Sequence, residues 1–353
     1  MSNMVRLMKS SVIVLLFLII ASIFSIFFSS MQKTGETTIL KEYFEIGSIL
    51  PLLFPENDRK HSCGWDEDIL VGRLPMDLRD VNLDEFANKE TFFRNVKAGG
   101  HWNPIQCSAK SKVAVIIPFR NRDKHLAILL RYLHPILQKQ KLEYRIFVIE
   151  QIDDKPFNKG KMMNVGFQHS QKYNDFDCFV FHDVDMIPED DRNDYGCPSS
   201  VRHMAPAINK FKYKLLYHFI FGGVTSFKKE AFIKVNGFAN KYYGWGAEDD
   251  DMYYRVQRHE FRLVRAPFET GRYTMIKHSQ SEKNKMAKQL LDSRSKFIDK
   301  DGLSSLRYSV VTTKNMTLYT WIGVDSQMTE EEKKLTTAQG SQNSTTERVK
   351  LGQ

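Results

Sequence analysis

Three largely apolar runs separated by helical patterns constrain the fold of this 353-residue chain most strongly. Val113–Pro118, Arg145–Glu150 and Cys178–His182 have the character of strands buried on both faces of a parallel sheet. His125–Leu137 carries apolar residues at helical spacing, and Met162–Ser170 is predicted to form a short helix. Alternating strands and helices are typical of an α/β domain with a mostly parallel sheet, in which ligands bind beyond the carboxyl ends of the strands.

The N-terminus predicts a membrane anchor. Residues 12–28 are almost all Val, Ile, Leu and Phe, and with the flanking serines the segment reaches about 20 residues, enough to span a bilayer. Arg6 and Lys9 precede it, which keeps the short N-terminal side cytosolic. A cleaved signal peptide, the alternative, would have a shorter apolar region. We therefore predict a cytosolic tail (1–10), a signal anchor (11–30), a stem (31–60), a lumenal domain (61–325) and a polar tail (326–353) expected to be disordered.

Charge and cysteine usage agree with a lumenal protein. The net charge of +9 is spread along the chain without dense basic tracts, so we expect no nucleic-acid partner. Cys63, Cys107, Cys178 and Cys197 all follow the anchor and are too widely spaced for a zinc ribbon, and three disulfide connectivities are open. Sequons at Asn315 and Asn343 are candidate glycosylation sites.

The Asp183-Val184-Asp185 sequence ends the third predicted strand. Because side chains alternate along a strand, its two carboxylates share one side and can hold a divalent cation that also contacts a diphosphate. Met275 and His278 lie three apart, and a carboxylate, an imidazole and a thioether together suit a transition metal such as manganese. The simpler interpretation is a solvated turn, a core methionine and a surface histidine.

An acidic run, Glu248–Asp251, follows the turn formed by Gly244, Trp245 and Gly246. Four consecutive carboxylates cannot be buried without partners, and an exposed indole beside them suits a sugar ring, whose apolar face stacks on it. The alternative is an acidic surface loop.

From about Cys63 to Asp325 the chain resembles the β-1,4-galactosyltransferase family, inverting type II Golgi glycosyltransferases of the GT-A fold. All four cysteines fall in family positions, and the matching segments are Pro118–Arg122, Phe157–Lys159, Asn164–Phe167, Phe181–Pro188, Phe221–Val224, Asn236–Phe238, Gly244–Asp251, Met275 with His278, and Asp301–Leu303. The resemblance implies a central, mostly parallel sheet with flanking helices, located at the Golgi membrane behind the anchor.

The resemblance also implies residue roles. Asp249 is the expected catalytic base, and Asp185, Met275 and His278 are the expected Mn²⁺ ligands. Expected contacts to the UDP-sugar donor are Pro118, Phe119, Arg120, Asn121, Arg122, Phe157, Asn158, Lys159, Asp183, Val184, Ile220, Trp245 and His278. Expected contacts to a GlcNAc-terminated acceptor are Tyr217, Gly223, Gly246, Ala247, Glu248, Asp249 and Asp250. The implied disulfides are Cys63–Cys107 and Cys178–Cys197, and the segment from 276 to 295 is expected to act as a lid.

Three departures from the family pattern concern the site. Lys159 replaces an arginine and loses its bidentate fork. Ala247 replaces a glycine, which is tolerable only if that position does not need a positive φ. The lid lacks an Arg-Phe pair that holds the acceptor's N-acetyl group in some members, and Leu290 and Leu291 fall nearest to it.

Ile220 stands where galactose-transferring members have an aromatic residue, typically tyrosine, that crowds C2 of the donor sugar. We therefore expect UDP-GalNAc to be preferred, with formation of GalNAcβ1-4GlcNAc on glycoproteins or glycolipids. The alternatives are a UDP-Gal-dependent galactosyltransferase, with Ile220 a silent core aliphatic, and a catalytically silent membrane lectin. The sequence leaves the physiological acceptor and any regulatory protein partner open.

Overall fold

The computed structural model describes residues 61–64, 69–89, 91–278 and 283–336. The predicted cytosolic tail, anchor and stem, and residues 337–353 of the polar tail, lie outside this part of the chain. Within the described ranges, no helix combines the length and the apolar character that crossing a bilayer requires. The anchor at 11–30 therefore stays a prediction.

The helices and strands follow the predicted alternation. The described α-helices include α1 (Leu83–Lys89), α2 (Thr91–Arg94), α3 (Asp123–Lys139), α4 (Lys159–Ser170), α5 (Lys229–Lys234), α6 (Glu248–Arg258) and α7 (Ala287–Asp292). The strands are β1 (His101–Trp102), β2 (Lys112–Phe119), β3 (Glu143–Gln151), β4 (Cys178–His182), β5 (Met186–Pro188), β6 (Val201–His203), β7 (Ala207–Ile208), β8 (Val224–Lys228), β9 (Leu263–Arg265), β10 (Arg272–Met275), β11 (Ser309–Asn315) and β12 (Thr320–Asp325).

The central sheet of the described chain has the order β11-β12-β3-β2-β4-β8-β6-β9, with β1 paired to β3. Its middle is parallel, since β2 pairs in parallel with both β3 and β4, and β12 pairs in parallel with β3. This confirms the mostly parallel sheet. Strands β1, β8 and β11 run antiparallel to their neighbours, a feature that the apolar runs did not indicate because burial carries no information on strand direction.

The alternating side chains of β2 supply both cores. Val113, Val115 and Ile117 pack with α3 on one face of the sheet, while Ala114 and Ile116 pack with α4 on the other. All five are fully buried, and burying a valine or isoleucine contributes roughly 1.5–3 kcal/mol. Two helical layers on the sheet are therefore what the unbroken apolar strands require.

A second, smaller sheet in the described chain has the order β5-β10-β7. Strand β5 begins directly after the Asp183–Asp185 turn, and β10 pairs antiparallel with it so that Met275 faces Met186 in the register. The small sheet therefore carries Met275 to the carboxyl end of β4.

Both disulfides have the pairing that the resemblance implies. Cys63 is bonded to Cys107 with a Cα–Cα distance of 5.0 Å, and Cys178 to Cys197 with a distance of 5.4 Å. The second bond closes a loop that contains the Asp183–Asp185 turn.

The folded part extends beyond the predicted boundary at 325. Residues 330–336 are helical, and Glu332 is buried against Lys161 of α4, with an Nζ–Oε1 distance of 3.1 Å. The expectation of disorder is therefore wrong for residues 326–336, because a buried ion pair, which composition does not show, holds them on the domain. Similarly, part of the predicted lid is regular structure, since α7 lies within it.

Candidate active site

The Asp183–Asp185 turn is held at the edge of the sheet by backbone hydrogen bonds. The Asp183 amide donates to the Gly223 carbonyl at 2.9 Å, and the Met186 amide donates to the Asp183 carbonyl at 3.2 Å. Val184 is partly buried against the core. The turn therefore has a fixed backbone from which Asp183 and Asp185 project at the carboxyl end of β4.

Of the three expected metal ligands, the structure places Asp185 and His278 in contact and brings the backbone of Met275 beside the same turn. His278 Nε2 lies 3.1 Å from Asp185 Oδ2, and the Ile276 amide donates to the Asp185 carbonyl at 2.8 Å. Met275, at the end of β10, is fixed by its amide, which donates to Asn209 Oδ1 at 2.9 Å. The described ranges contain no cluster of three or more His, Cys, Asp or Glu side chains suited to a metal.

Arg122 and His125, at the start of α3, lie next to His278 of the expected ligand set. Arg122 Nη2 lies 3.3 Å from His278 Nδ1, and the ring of His125 packs edge-on against the His278 ring at 6.0 Å. Burial, with Arg122 nearby, lowers the pKa of His125. His125 was not among the predicted site residues, although its position three residues after Arg122, one helical turn away, was a usable signal.

Lys159 joins the Asp183–Asp185 turn to the acidic run. Its Nζ lies 2.8 Å from Asp249 Oδ2, 2.9 Å from Glu248 Oε1 and 3.4 Å from Asp183 Oδ1. A lysine ammonium is a compact point charge with three donors, so it can serve several carboxylates at once. Lys159, expected as a donor contact, is thus placed among the carboxylates of both motifs.

Burial controls the protonation of these carboxylates. It raises the pKa of Asp249 well above its ordinary value, with Lys159 opposing and Glu248 reinforcing the shift. It also raises the pKa of Asp183 to about 6, again against the pull of Lys159. Asp249 is therefore a more basic carboxylate than an exposed aspartate, as general base catalysis near neutral pH requires.

The acidic run occupies the first turn of α6, where the helix dipole favours negative charge. Its members differ in role. Asp251 is fully buried and bonded to Arg255 Nε at 2.6 Å, so it stabilises the helix. Asp250 accepts a hydrogen bond from the Tyr217 hydroxyl at 3.0 Å. The simple surface-loop interpretation is therefore wrong for Asp251.

The Gly-Trp-Gly turn leaves the indole accessible. Trp245 is 58% exposed, and its carbonyl accepts from the Asn284 amide at 3.0 Å, which ties the turn to the described part of the lid. Ala247, the N-cap of α6, has φ of 76°. Alanine was expected to be tolerated here only if the position did not need a positive φ, so the residue is strained. Gly246 has φ of 117° and open space around it.

Gly222 and Gly223, directly before β8, leave room for the side chains of Asp249 and Met186. A Cβ atom on Gly222 would lie 2.6 Å from Asp249 Oδ2. Gly223 has φ of 87° and faces the side chain of Met186. Ile220 is half-buried just before them, and its carbonyl accepts from Arg265 Nη2 at 3.3 Å.

Some expected donor contacts are engaged within the protein. The Arg120 guanidinium donates to the carbonyls of Gln151, Lys155 and Asp153, and it lies over the Phe157 ring at 5.5 Å. Asn158 is the buried N-cap of α4 and accepts from the Lys161 amide at 2.8 Å. Pro118 and Phe119 end the buried strand β2, and Asn121 has φ of 51° in the following turn. These residues shape the edge of the site.

The sequons fall in different parts of the chain. Asn315 is exposed at the end of β11, where its side-chain oxygen accepts from Arg145 Nη2 at 2.8 Å. Asn343 lies outside the described residues. Glycosylation at either position stays a prediction.

Comparison with known proteins decides the family. Residues 63–198 match the model for the N-terminal region of glycosyl transferase group 7, and residues 202–279 match the model described as the N-terminal domain of galactosyltransferase. The chain is 45% identical over 250 residues to β-1,4-galactosyltransferase 4 of Cricetulus griseus, a match that covers 70% of this chain and 71% of the relative. This chain belongs to the β-1,4-galactosyltransferase family.

Similarity to other members of the family agrees with this assignment. β-1,4-Galactosyltransferase 1 of Mus musculus is 44% identical over 268 residues, which is 75% of this chain and 66% of that protein, so the chain spans slightly less than two thirds of that relative. Among solved structures, the catalytic domain of Drosophila β1,4-galactosyltransferase 7 in complex with xylobiose matches with a TM-score of 0.56 and 26% identity, over 63% of this chain and 97% of that one. A mutant of the same fly enzyme, in complex with manganese, UDP-Gal and xylobiose, matches with a TM-score of 0.52 and 25% identity over the same shares.

Proposed function

We propose that this protein is an inverting β-1,4-galactosyltransferase that transfers a sugar from UDP-Gal to a GlcNAc-terminated glycan. One observation carries the proposal: Lys159 joins Asp249 to Asp183 of the turn that also holds the Asp185–His278 pair. A candidate base and a candidate metal–diphosphate site therefore face one another, as single displacement requires. The donor assignment follows the relatives, which are named as galactosyltransferases.

The residues present fit Mn²⁺. Asp185, Met275 and His278 would hold it, since a carboxylate, a thioether and an imidazole form a mixed donor set that suits a transition metal better than Ca²⁺ or Mg²⁺. The fly enzyme structure that contains manganese and UDP-Gal supports this choice. When bound, the metal supplies positive charge that stabilises the departing diphosphate.

Asp249 is the proposed general base. Its carboxylate would accept the proton of the acceptor hydroxyl as that oxygen attacks the anomeric carbon from the face opposite to UDP, which inverts the configuration. Burial raises the pKa of Asp249, which makes it the stronger base, and the positive charge of Lys159 opposes that shift. Once the proton is transferred, Lys159 still has Glu248 and Asp183 as partners.

Trp245 and Tyr217 are the proposed sugar-binding side chains. The exposed indole offers a face on which a pyranose ring can stack. The Tyr217 hydroxyl orients Asp250, whose second oxygen can accept from an acceptor hydroxyl. The lid, tied to the Trp245 carbonyl through Asn284, would close over both sugars and exclude water.

UDP-GalNAc is the second donor candidate, and Ile220 favours it. The side chain is aliphatic and half-buried, so it leaves more space than a tyrosine and provides no hydroxyl group. The remaining family expectations, the 11–30 anchor and the Golgi membrane location, are part of the same proposal.

The test is transfer to a GlcNAc-terminated acceptor from each donor by the purified protein with Mn²⁺. A higher kcat/KM for UDP-Gal supports the galactosyltransferase. A higher kcat/KM for UDP-GalNAc supports the second candidate, provided that Ile220→Tyr reverses this preference, because the larger ring would occlude the acetamido group. If the purified protein shows neither transfer nor Mn²⁺-dependent donor hydrolysis, it is a sugar-binding protein without turnover, and the proposal is wrong.

A further inference from the structure

The C-terminal segment 326–336, which we call the clasp, lies beyond the last strand and is hydrogen-bonded to two parts of the site. The Ser326 amide donates to Asp153 Oδ2 at 2.6 Å, in the loop whose carbonyls bind Arg120. Glu332 bonds Lys161 of α4 through both carboxylate oxygens, at 3.1 and 3.2 Å. The clasp therefore connects to the donor-side loop and to the helix that begins with Lys159.

Lys161 is the centre of these contacts. It is 1% exposed, and its Nζ also donates to the Tyr243 hydroxyl at 3.0 Å and to the Ser326 carbonyl at 2.9 Å. Tyr243 is fully buried two residues before Trp245. A charge buried this deeply is costly unless it is fully paired, so all of these groups are held in one arrangement.

The clasp helix has its own start signal and an apolar contact. Thr329 and Glu332 form a reciprocal cap: the Thr329 amide donates to Glu332 Oε2 at 2.7 Å, and the Glu332 amide donates to Thr329 Oγ1 at 3.2 Å. One turn later, Leu335 packs against a small buried cluster formed by Ala239, Tyr242, Leu290 and Phe297, and Ala247 packs against the same cluster. This cluster joins the N-cap of α6, which precedes Asp249, to α7 of the lid.

We propose that the clasp positions the Trp245 turn and the lid for the acceptor, with Glu332 and Leu335 as positioning residues. The proposal rests on the proposed function, since it concerns acceptor binding at that same site. Glu332 acts through Lys161 and Tyr243, and Leu335 acts through the cluster that contains Leu290 and against which Ala247 also packs. Loss of either contact should loosen the turn and the lid without removing any group expected to touch substrate.

The experiment is hydrogen exchange of the purified full-length protein, combined with acceptor kinetics, for Glu332→Gln and Leu335→Ala. Glu330→Gln is the matched control, because Glu330 lies in the same helix but its carboxylate is exposed and pairs with Lys333 at 2.7 Å. We expect exchange in peptides covering 243–247 and 287–292 to rise at least about tenfold in both test variants and not in the control. The acceptor KM should rise at least about fivefold and by a larger factor than the donor KM, because Gly246 and Ala247 of the loosened turn are expected acceptor contacts.

A double variant, Lys161→Met with Glu332→Leu, separates positioning from charge chemistry. Replacing a buried ion pair by apolar residues of similar size often preserves stability, so exchange in the two peptides should return towards wild-type values. Exchange that stays unchanged in both peptides for Glu332→Gln and Leu335→Ala would overturn the proposal. So would a uniform rise across the whole protein, which indicates loss of stability alone. An inactive wild type would refute the proposed function while the exchange result still decides the clasp's role.

Discussion

Gly222 makes room for the carboxylate of Asp249: a Cβ atom at Gly222 would lie 2.6 Å from Asp249 Oδ2. Real Cβ atoms do not approach an oxygen so closely, so Gly222→Ala must displace Asp249 from Lys159. We expect kcat for sugar transfer to fall at least about tenfold, since a displacement of about 1 Å is enough to disrupt positioned catalysis. Steady-state kinetics measure it. Gly64→Ala, where nothing lies within 4 Å of the added atom, is the control and should behave as wild type.

Ala247 carries backbone strain that glycine would relieve. An L-residue in the left-handed region costs roughly 1–2 kcal/mol, and Ala247 has φ of 76°. The greater freedom of glycine in the unfolded chain offsets about 0.4–1 kcal/mol of the gain. Ala247→Gly should therefore raise the free energy of unfolding by up to about 1 kcal/mol in urea denaturation. Ala231→Gly, inside helix α5, should lower it by about 1 kcal/mol. A destabilised Ala247→Gly variant would contradict the assignment of strain.

His134 predicts a pH-dependent contribution to stability. It is fully buried between the Tyr144 hydroxyl and the Leu318 carbonyl, and burial lowers its pKa to about 4. Because the folded-state pKa lies below that of the unfolded chain, the unfolded state binds the proton first. Stability from this residue is therefore present above about pH 6.5 and is lost as pH falls towards 4, by roughly 3 kcal/mol in total.

The measurement compares unfolding free energies of wild type and His134→Gln between pH 4 and 7. The difference between the two proteins should shrink as pH falls, because only the wild type loses this contribution. An unfolding free-energy difference between wild type and His134→Gln that stays constant across this pH range would contradict the buried neutral imidazole.

Asp185 should determine metal binding. It is the only carboxylate among the three proposed ligands, so Asp185→Ala should reduce Mn²⁺ affinity, measured by calorimetry, by at least about tenfold and abolish detectable transfer. Met275→His should retain transfer with an altered order of preference among Mn²⁺, Co²⁺ and Mg²⁺, since a harder ligand replaces a soft one. Normal turnover of Asp185→Ala with Mn²⁺ would place the metal elsewhere.

The sequence predicted the fold where the pattern was local. Val113–Pro118 and Cys178–His182 are strands because their apolar runs are continuous, and the structure extends the first by one residue at each end. The antiparallel direction of β8 was not predictable from its residues, because pairing with β4 is a long-range choice. The position of the Asp183–Asp185 turn at the end of β4 was predictable, because the turn directly follows a continuous apolar run.

The remaining features depend on contacts between distant residues. Lys159 lies 90 positions from Asp249, so its place among the carboxylates could not be read from either motif alone. The clasp was predicted to be disordered because it is polar, and Lys161 looks like an ordinary helix residue in the sequence. Thr329 and Glu332 did carry a signal, since a threonine followed three residues later by a glutamate is a helix start.

The role of Asp249 as the base is the central claim, and the kinetics of Asp249→Asn test it most directly. The amide keeps the size of the side chain but cannot accept the proton, so kcat for transfer should fall at least about a hundredfold. UDP-sugar affinity should change by less than about twofold, because binding of the donor is assigned to other residues. Asp250→Asn, the neighbouring variant, should chiefly raise the acceptor KM. An Asp249→Asn protein that keeps its kcat, or that loses donor binding instead, would contradict the account.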